Sequence, residues 1–163
     1  RADETGRPYA TGPWTDRVTE VPHISISHKG SMAVSVAGRG VLGIDLENIE
    51  TRNGGFETLA FDEDERRLLS VVNGNRAEWI TRAWCAKEAA GKALGVGLSN
   101  NPQSLVVKAV DLADGAIRVR RREISPAQPR GNGSGYLVHS SRQGDYIVAI
   151  AVEERNGHAD AGS

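Results

Sequence analysis

Apolar positions recur at a spacing of about two, then of three to four, then of two again, so strands should flank a helical middle. HISIS followed by MAVSVA, with Lys29-Gly30-Ser31 between them, predicts a short hairpin. VLGIDLE, residues 41–47, predicts a third strand with Leu42, Ile44 and Leu46 on one face and Val41, Gly43, Asp45 and Glu47 on the other. Residues 51–57 read as loop. FDEDERRLL, from Phe61, starts a helix in which Asp62 and Glu65 have the spacing of a capping box. Asn73-Gly74-Asn75 breaks the pattern before a long helix over residues 76–95, RAEWITRAWCAKEAAGKALG, with Gly95 at its C-cap. SLVVKAVDL and AIRVRR around Asp114-Gly115 predict a second hairpin, and YLVHSS with YIVAIAV a third, after a loop over 125–135. The fold class expected is α+β, an antiparallel sheet packed on the long helix. Residues 1–20, polar and rich in Gly and Pro, read as an extended arm, residues 21–154 as the domain, and 155–163 as a polar tail.

Two features stand out from this pattern. Ser27, Gly30, Val34 and Ala37 of the first hairpin match Ser141, Gly144, Val148 and Ala151 of the last at one fixed offset, as two related hairpins or a chance similarity would. In the long helix, Ile80, Trp84, Glu88 and Lys92 fall at successive i+4 positions and share one stripe. A carboxylate and an ammonium beside an apolar Ile and Trp call for partners, because an unpaired charge in an apolar setting is costly. They pair with each other on a solvated face, or they meet a metal or ligand. Asp45 and Glu47 pose a similar choice: two carboxylates on one strand face either point to solvent or share a cation.

Composition narrows the function class. A net charge of −1 gives no electrostatic case for nucleic acid or membrane binding. The single cysteine, Cys85, reads as a small buried residue of an intracellular, cytoplasmic protein, since it can close no intrachain disulfide. No apolar run reaches membrane-spanning length. A chain opening on Arg1 points to processing or to a piece of something longer. His23 and His139 read as packing or surface residues, Trp14, Trp79 and Trp84 as packing anchors, and RVRRR (118–122) as a solvated face or a patch for an acidic partner.

GIDLE (43–47) followed by WCAKEAAGKALG (84–95) resembles the signature pair of the 4′-phosphopantetheinyl transferases. SISH (25–28) resembles that family's serine-histidine phosphate motif, GRP (6–8) its adenine-contacting segment in surfactin-type members, and FDEDERRLL its Phe-x-x-x-Glu segment. The matches run in family order from Gly6 to Gly95. The resemblance implies Mg²⁺-dependent transfer of phosphopantetheine from coenzyme A to a serine of an acyl or peptidyl carrier protein, with release of 3′,5′-ADP. By position, Asp45, Glu47 and Glu88 would hold Mg²⁺, and Glu88 would be the base for the carrier serine. Lys92 would be catalytic and, with Lys87, would contact the pyrophosphate end. Ser27 and His28 would bind coenzyme A phosphate, and Arg7 with Pro8 would line the adenine site. The family's pseudo-two-fold arrangement would be only partly present, since the chain is longer than one module and shorter than two. That length implies a homo-oligomer or a domain of a larger synthase, such as a polyketide or fatty-acid synthase. A non-catalytic module that binds carrier protein or coenzyme A is the alternative.

Overall fold

The computed structural model describes residues 1–4, 6–72, 74–95, 97–98, 101–122 and 135–154. The expected tail over 155–163 and most of the expected loop over 125–135 lie outside them. Seven strands and three α-helices follow in the order β1 (His23–Lys29), β2 (Met32–Gly38), β3 (Leu42–Asn48), α1 (Gly54–Ala60), α2 (Glu63–Ser70), α3 (Arg76–Leu94), β4 (Leu105–Val110), β5 (Ala116–Arg121), β6 (Gly135–Gln143) and β7 (Tyr146–Glu153). All strand pairings are antiparallel: β1 with β2, and a five-stranded sheet in the order β3-β7-β6-β5-β4. The α+β architecture expected from the pattern is the one observed.

The repeated hairpin signal has a structural counterpart. Ser27 pairs with Val34 in β1–β2, and Ser141 pairs with Val148 in β6–β7. Each hairpin turns through a glycine of positive φ, Gly30 at 59° and Gly144 at 63°, which a two-residue loop requires.

α3 lies across one face of the large sheet, mainly over β3 and β7. Its capping is local: the Asn75 side chain accepts the Glu78 N–H, and Gly95, at φ 79°, returns its N–H to the Gly91 and Lys92 carbonyls. What the helix buries is small. Ala83, Cys85, Ala86, Ala89, Ala90 and Ala93 are at most 1% exposed, and beneath them lie Ala149 and Ala151 of β7. Gly43 completes this seam. A methyl group built on Gly43 would stand 2.1 Å from the Ala89 carbonyl oxygen and 2.5 Å from the Ala93 nitrogen, both backbone atoms that cannot swing aside. The glycine of GIDLE therefore sets how closely α3 approaches β3. Gly43→Ala should destabilise the protein by at least the ~1–3 kcal/mol typical of overpacking; an unchanged denaturant midpoint would refute this packing account.

β3 is the edge strand of the large sheet, and β1 covers its free edge, with the Ile44 N–H donating to the Ser25 hydroxyl at 3.0 Å. Leu42, Ile44 and Leu46 are thereby buried along with Asp45 on the other face. Residues 1–20 do not stand free of this arrangement. Tyr9 bridges to His23 at the start of β1, and Ala2 bridges to Pro8.

One expectation needs correction. Residues 54–60 form α1 where loop was expected over 51–57. The Asn53 side chain caps it by accepting the Phe56 N–H, and Phe56 packs edge-on against Trp84 and Phe61 at 5.2 and 6.4 Å between centroids. Tertiary contacts of that one ring offset the poor helix propensity of Gly54 and Gly55.

Candidate active site

Strand alternation on β3 sends Asp45 and Glu47 toward α3, and the i+4 stripe of α3 brings Glu88 and Lys92 to meet them. Lys92 does not pair with Glu88, its neighbour one turn away. Its ammonium donates to Asp45 Oδ1 at 2.8 Å and to the Ile26 carbonyl at 3.4 Å. Asp45 Oδ1 also accepts the Ser27 hydroxyl at 2.8 Å, while Asp45 Oδ2 is buried with no hydrogen-bond partner. Glu47 Oε2 is shared by Lys29 at 2.9 Å and Arg52 at 3.2 Å. Glu88 has no ion-pair partner among the described residues.

Burial pushes the Glu88 carboxyl up to about 7, and the Asp45 and Glu47 charges push the same way against Lys92 and Lys29. A carboxylate that repels its neighbours, beside a buried carboxylate oxygen lacking a donor, has the chemistry of a cation site. As the side chains stand, no three His, Cys, Asp or Glu among the described residues converge closely enough to hold a metal ion; ammonium and guanidinium groups lie on Asp45 and Glu47 instead. The orphaned Asp45 Oδ2 and the repulsion felt by Glu88 nonetheless fit the hard oxygen set that Mg²⁺ takes.

Three expected contacts fall differently. Lys87 does not face these carboxylates. Its side chain is fully buried, with Nζ donating to the Ala60 carbonyl at 2.5 Å and to Glu65 at 3.0 and 3.3 Å, 5.1 Å from the Phe61 ring centroid. All its donors are engaged inside the core, which leaves Lys87 none for the expected pyrophosphate contact. Ser27 and His28 do not act as one phosphate clamp. Ser27 is buried and committed to Asp45, whereas His28 is exposed on the opposite face of β1, as a period of two demands. Ser27 orients a carboxylate.

Arg7 and Pro8 are half-buried at the other end of β1. Arg7 Nη2 donates to His23 Nδ1 at 3.1 Å, and Arg7 Nη1 lies 3.4 Å from where a Gly95 methyl would stand, at the C-terminus of α3. His23, Ser25, Ser27 and Lys29 share one face of β1, and His23 and Lys29 are six residues apart. At ~3.3 Å per residue that face runs roughly 20 Å from Arg7 to Glu47, with Ser25 and Ser27 in its middle buried against β3. Sequence reading missed Lys29 and Arg52. The strand period already placed Lys29 in line with Ser27; Arg52, in a loop, carried no periodic signal. Cys85 is fully buried and its thiol is pushed well up by burial and by Asp45, which suits an inert core residue. Two surface hollows, of about 450 and 460 Å³, lie away from these carboxylates, beside Asp111 and His139 and between α1 and Pro102.

The sequence model of the 4′-phosphopantetheinyl transferase superfamily matches residues 41–151, from before Asp45 into β7. The chain belongs to this superfamily. Solved structures carry the same fold. Thermotoga maritima holo-[acyl-carrier-protein] synthase matches at 23% identity and a TM-score of 0.52, over 71% of this chain and 63% of its own. The Neisseria meningitidis holo-[acyl-carrier-protein] synthase matches at 18% and 0.51, over 70% of this chain and 97% of its own. An apo-ACPS structure from Chronobacterium ammoiniagenes matches at 24% and 0.51, over 68% and 92% respectively. None of the curated proteins matches the chain. The superfamily match begins just ahead of β3 and takes in α3, so Asp45, Glu47, Glu88 and Lys92 lie within it, whereas Arg7, Pro8, Ser27 and His28 lie upstream.

Proposed function

We propose that this chain transfers the 4′-phosphopantetheine group from coenzyme A to a serine of an acyl or peptidyl carrier protein, releasing 3′,5′-ADP. The observation that carries the reading is the buried, unpartnered Asp45 Oδ2 beside the raised Glu88 carboxyl, within the region that matches the superfamily. Asp45, Glu47 and Glu88 would hold Mg²⁺. Bound there, Mg²⁺ supplies neutralisation of the charge that develops on the diphosphate. Lys92 reaches the same place from α3 and binds the diphosphate oxygens once it leaves Asp45.

Glu88, directly or through one water, takes the proton of the carrier serine hydroxyl. The serine oxygen attacks the phosphorus bearing pantetheine, the bond from that phosphorus to the bridging oxygen breaks, and the electron pair leaves with 3′,5′-ADP. Ser27 holds Asp45 in place, Arg7 and Pro8 take the adenine end, and His28 offers an exposed phosphate contact. A second copy of the chain, or further sequence of a larger synthase, completes the coenzyme A cleft. Among the described residues no helix is long and apolar enough to cross a membrane.

Incubating the protein with coenzyme A, Mg²⁺ and several apo carriers, then weighing the carriers, tests the reading. A mass gain equal to phosphopantetheine supports it, and no gain on any carrier with an intact fold counts against it. Arg7→Ala should weaken coenzyme A about tenfold, the scale of one charge-assisted hydrogen bond, while leaving Mg²⁺ affinity unchanged. Titration calorimetry at fixed Mg²⁺ measures both; equal coenzyme A affinity would remove Arg7 from the site.

A further inference from the structure

Lys29 is an ammonium that no family motif of this chain accounts for, and its position is informative. It lies at the end of β1, next to the tight turn at Gly30, on the same strand face as Ser27. Among the described residues its one ion pair is to Glu47 Oε2 at 2.9 Å, and its side chain is 43% exposed. Arg52 shares that oxygen at 3.2 Å but is held very differently. Its side chain is 12% exposed, it also binds Glu50 at 3.1 Å, and its guanidinium lies 4.3 Å from the Phe56 ring centroid. Of the two cations on Glu47, one is fixed by stacking and a second carboxylate, and the other is on a flexible, half-exposed stem.

The charges around the site add a second argument. Lys29, Arg52 and Lys92 stand against Asp45, Glu47, Glu88 and the Glu50 that Arg52 also binds, so the cations do not outnumber the carboxylates without a metal. A divalent ion among the carboxylates shifts that balance toward positive charge, which suits the negative charge of a diphosphate diester. A divalent cation on Glu47 weakens that carboxylate's hold on an ammonium, and the exposed pair yields before the buried one.

We propose that Lys29 is a mobile substrate-binding cation, which neutralises Glu47 while the metal is absent and turns to the diphosphate of coenzyme A when the metal takes Glu47. This rests on the phosphopantetheinyl transfer reading. It assigns Lys29 two opposed effects that a merely structural role does not produce: it competes with the metal and cooperates with the substrate.

The test uses the full chain and titration calorimetry, first with Mg²⁺ alone and then with coenzyme A at saturating Mg²⁺. Lys29→Gln should bind Mg²⁺ about two- to fivefold more tightly and coenzyme A about two- to fivefold more weakly, the range for a partly exposed ion pair. Lys29→Arg keeps the charge and should restore coenzyme A binding toward the parent value. Melting curves report the fold, which the exposed Lys29→Gln change should preserve. Mg²⁺ affinity that is unchanged or lower in Lys29→Gln overturns the proposal, as does coenzyme A affinity equal to that of the parent. A parent protein that binds no Mg²⁺ at all would instead overturn the metal-dependent transfer reading and this proposal together, so the two failures are distinguishable.

Discussion

Glu88→Gln is expected to lower carrier modification by about two orders of magnitude or more, the usual scale for losing a general base, with the fold intact. Glutamine keeps the size of the side chain and its place on the α3 stripe but cannot take a proton, and it offers a hard cation only a neutral carbonyl oxygen. A Glu88→Gln protein that modifies carrier at near the parent rate would end the proposed role of this residue.

The same variant has a readout that needs no substrate. Burial, helped by Asp45 and Glu47, raises the folded carboxyl to about 7 from its ordinary 4.5. The folded protein therefore keeps a proton that the unfolded chain has released, and without metal the stability of the parent falls as pH rises between those two values. At about pH 8 in chelator, Glu88→Gln should melt higher than the parent, and the difference should close at about pH 4. Adding Mg²⁺ at about pH 8 should raise the parent's melting temperature more than the variant's, because a ligand stabilises whatever folded state binds it. A parent and variant whose melting temperatures stay parallel across this range would show that Glu88 is not in the strained environment described above.

Lys87→Met carries the largest expected effect on stability. Glu65 is 1% exposed and ties three elements together: it accepts Lys87 Nζ from α3, the Val107 N–H from β4 at 2.8 Å, and the Asp62 N–H at the start of its own helix at 2.8 Å. Burial pulls the Lys87 ammonium down in pKa while the Glu65 charge opposes it. Removing the lysine leaves a buried carboxylate with amide donors and no counter-charge, at a cost of about 3–5 kcal/mol. Denaturant unfolding measures it, and Lys87→Met combined with Glu65→Gln should recover much of the loss by removing the stranded charge. A single variant that loses under about 1 kcal/mol would mean that the pair is hydrated and not part of the core.

This pair also shows where sequence reading stopped. The motif W-x-x-K-E-A-x-x-K places Lys87, Glu88 and Lys92 close together in sequence, and the resemblance implies that both lysines contact the pyrophosphate end. On a helix, adjacent residues point about 100° apart. Glu88 and Lys92 share the stripe that meets β3, while Lys87 turns toward α2 and β4, where Glu65 waits. Which lysine serves the site is a question of rotation against neighbouring elements, and spacing within the motif does not contain those neighbours. The capping box of Asp62 and Glu65 was legible because both of its bonds are local. The second task of that same Glu65, twenty-two residues from Lys87, was not.

Local physics was enough for most of the elements. Alternation marked β1, β2, β3 and the later hairpins, helix composition and Gly95 marked α3, and β3's period of two put Asp45 and Glu47 on the face that meets Glu88 and Lys92. What the chain alone left undecided was every choice between partners. Glu88 and Lys92 had been equally able to pair with each other; the fold gives Lys92 to Asp45 because Gly43 and the alanines of α3 let the helix approach β3 closely. Ser27 and His28 look like one motif in sequence, yet β1 buries one against Asp45 and exposes the other. Lys29 and Arg52 enter only once the Gly30 turn and the Phe56 ring bring them to Glu47. Side-chain period is a property of one segment and can be read from it. The partner of a charge depends on which segments pack together, and that is settled by the shape of surfaces far apart in the chain.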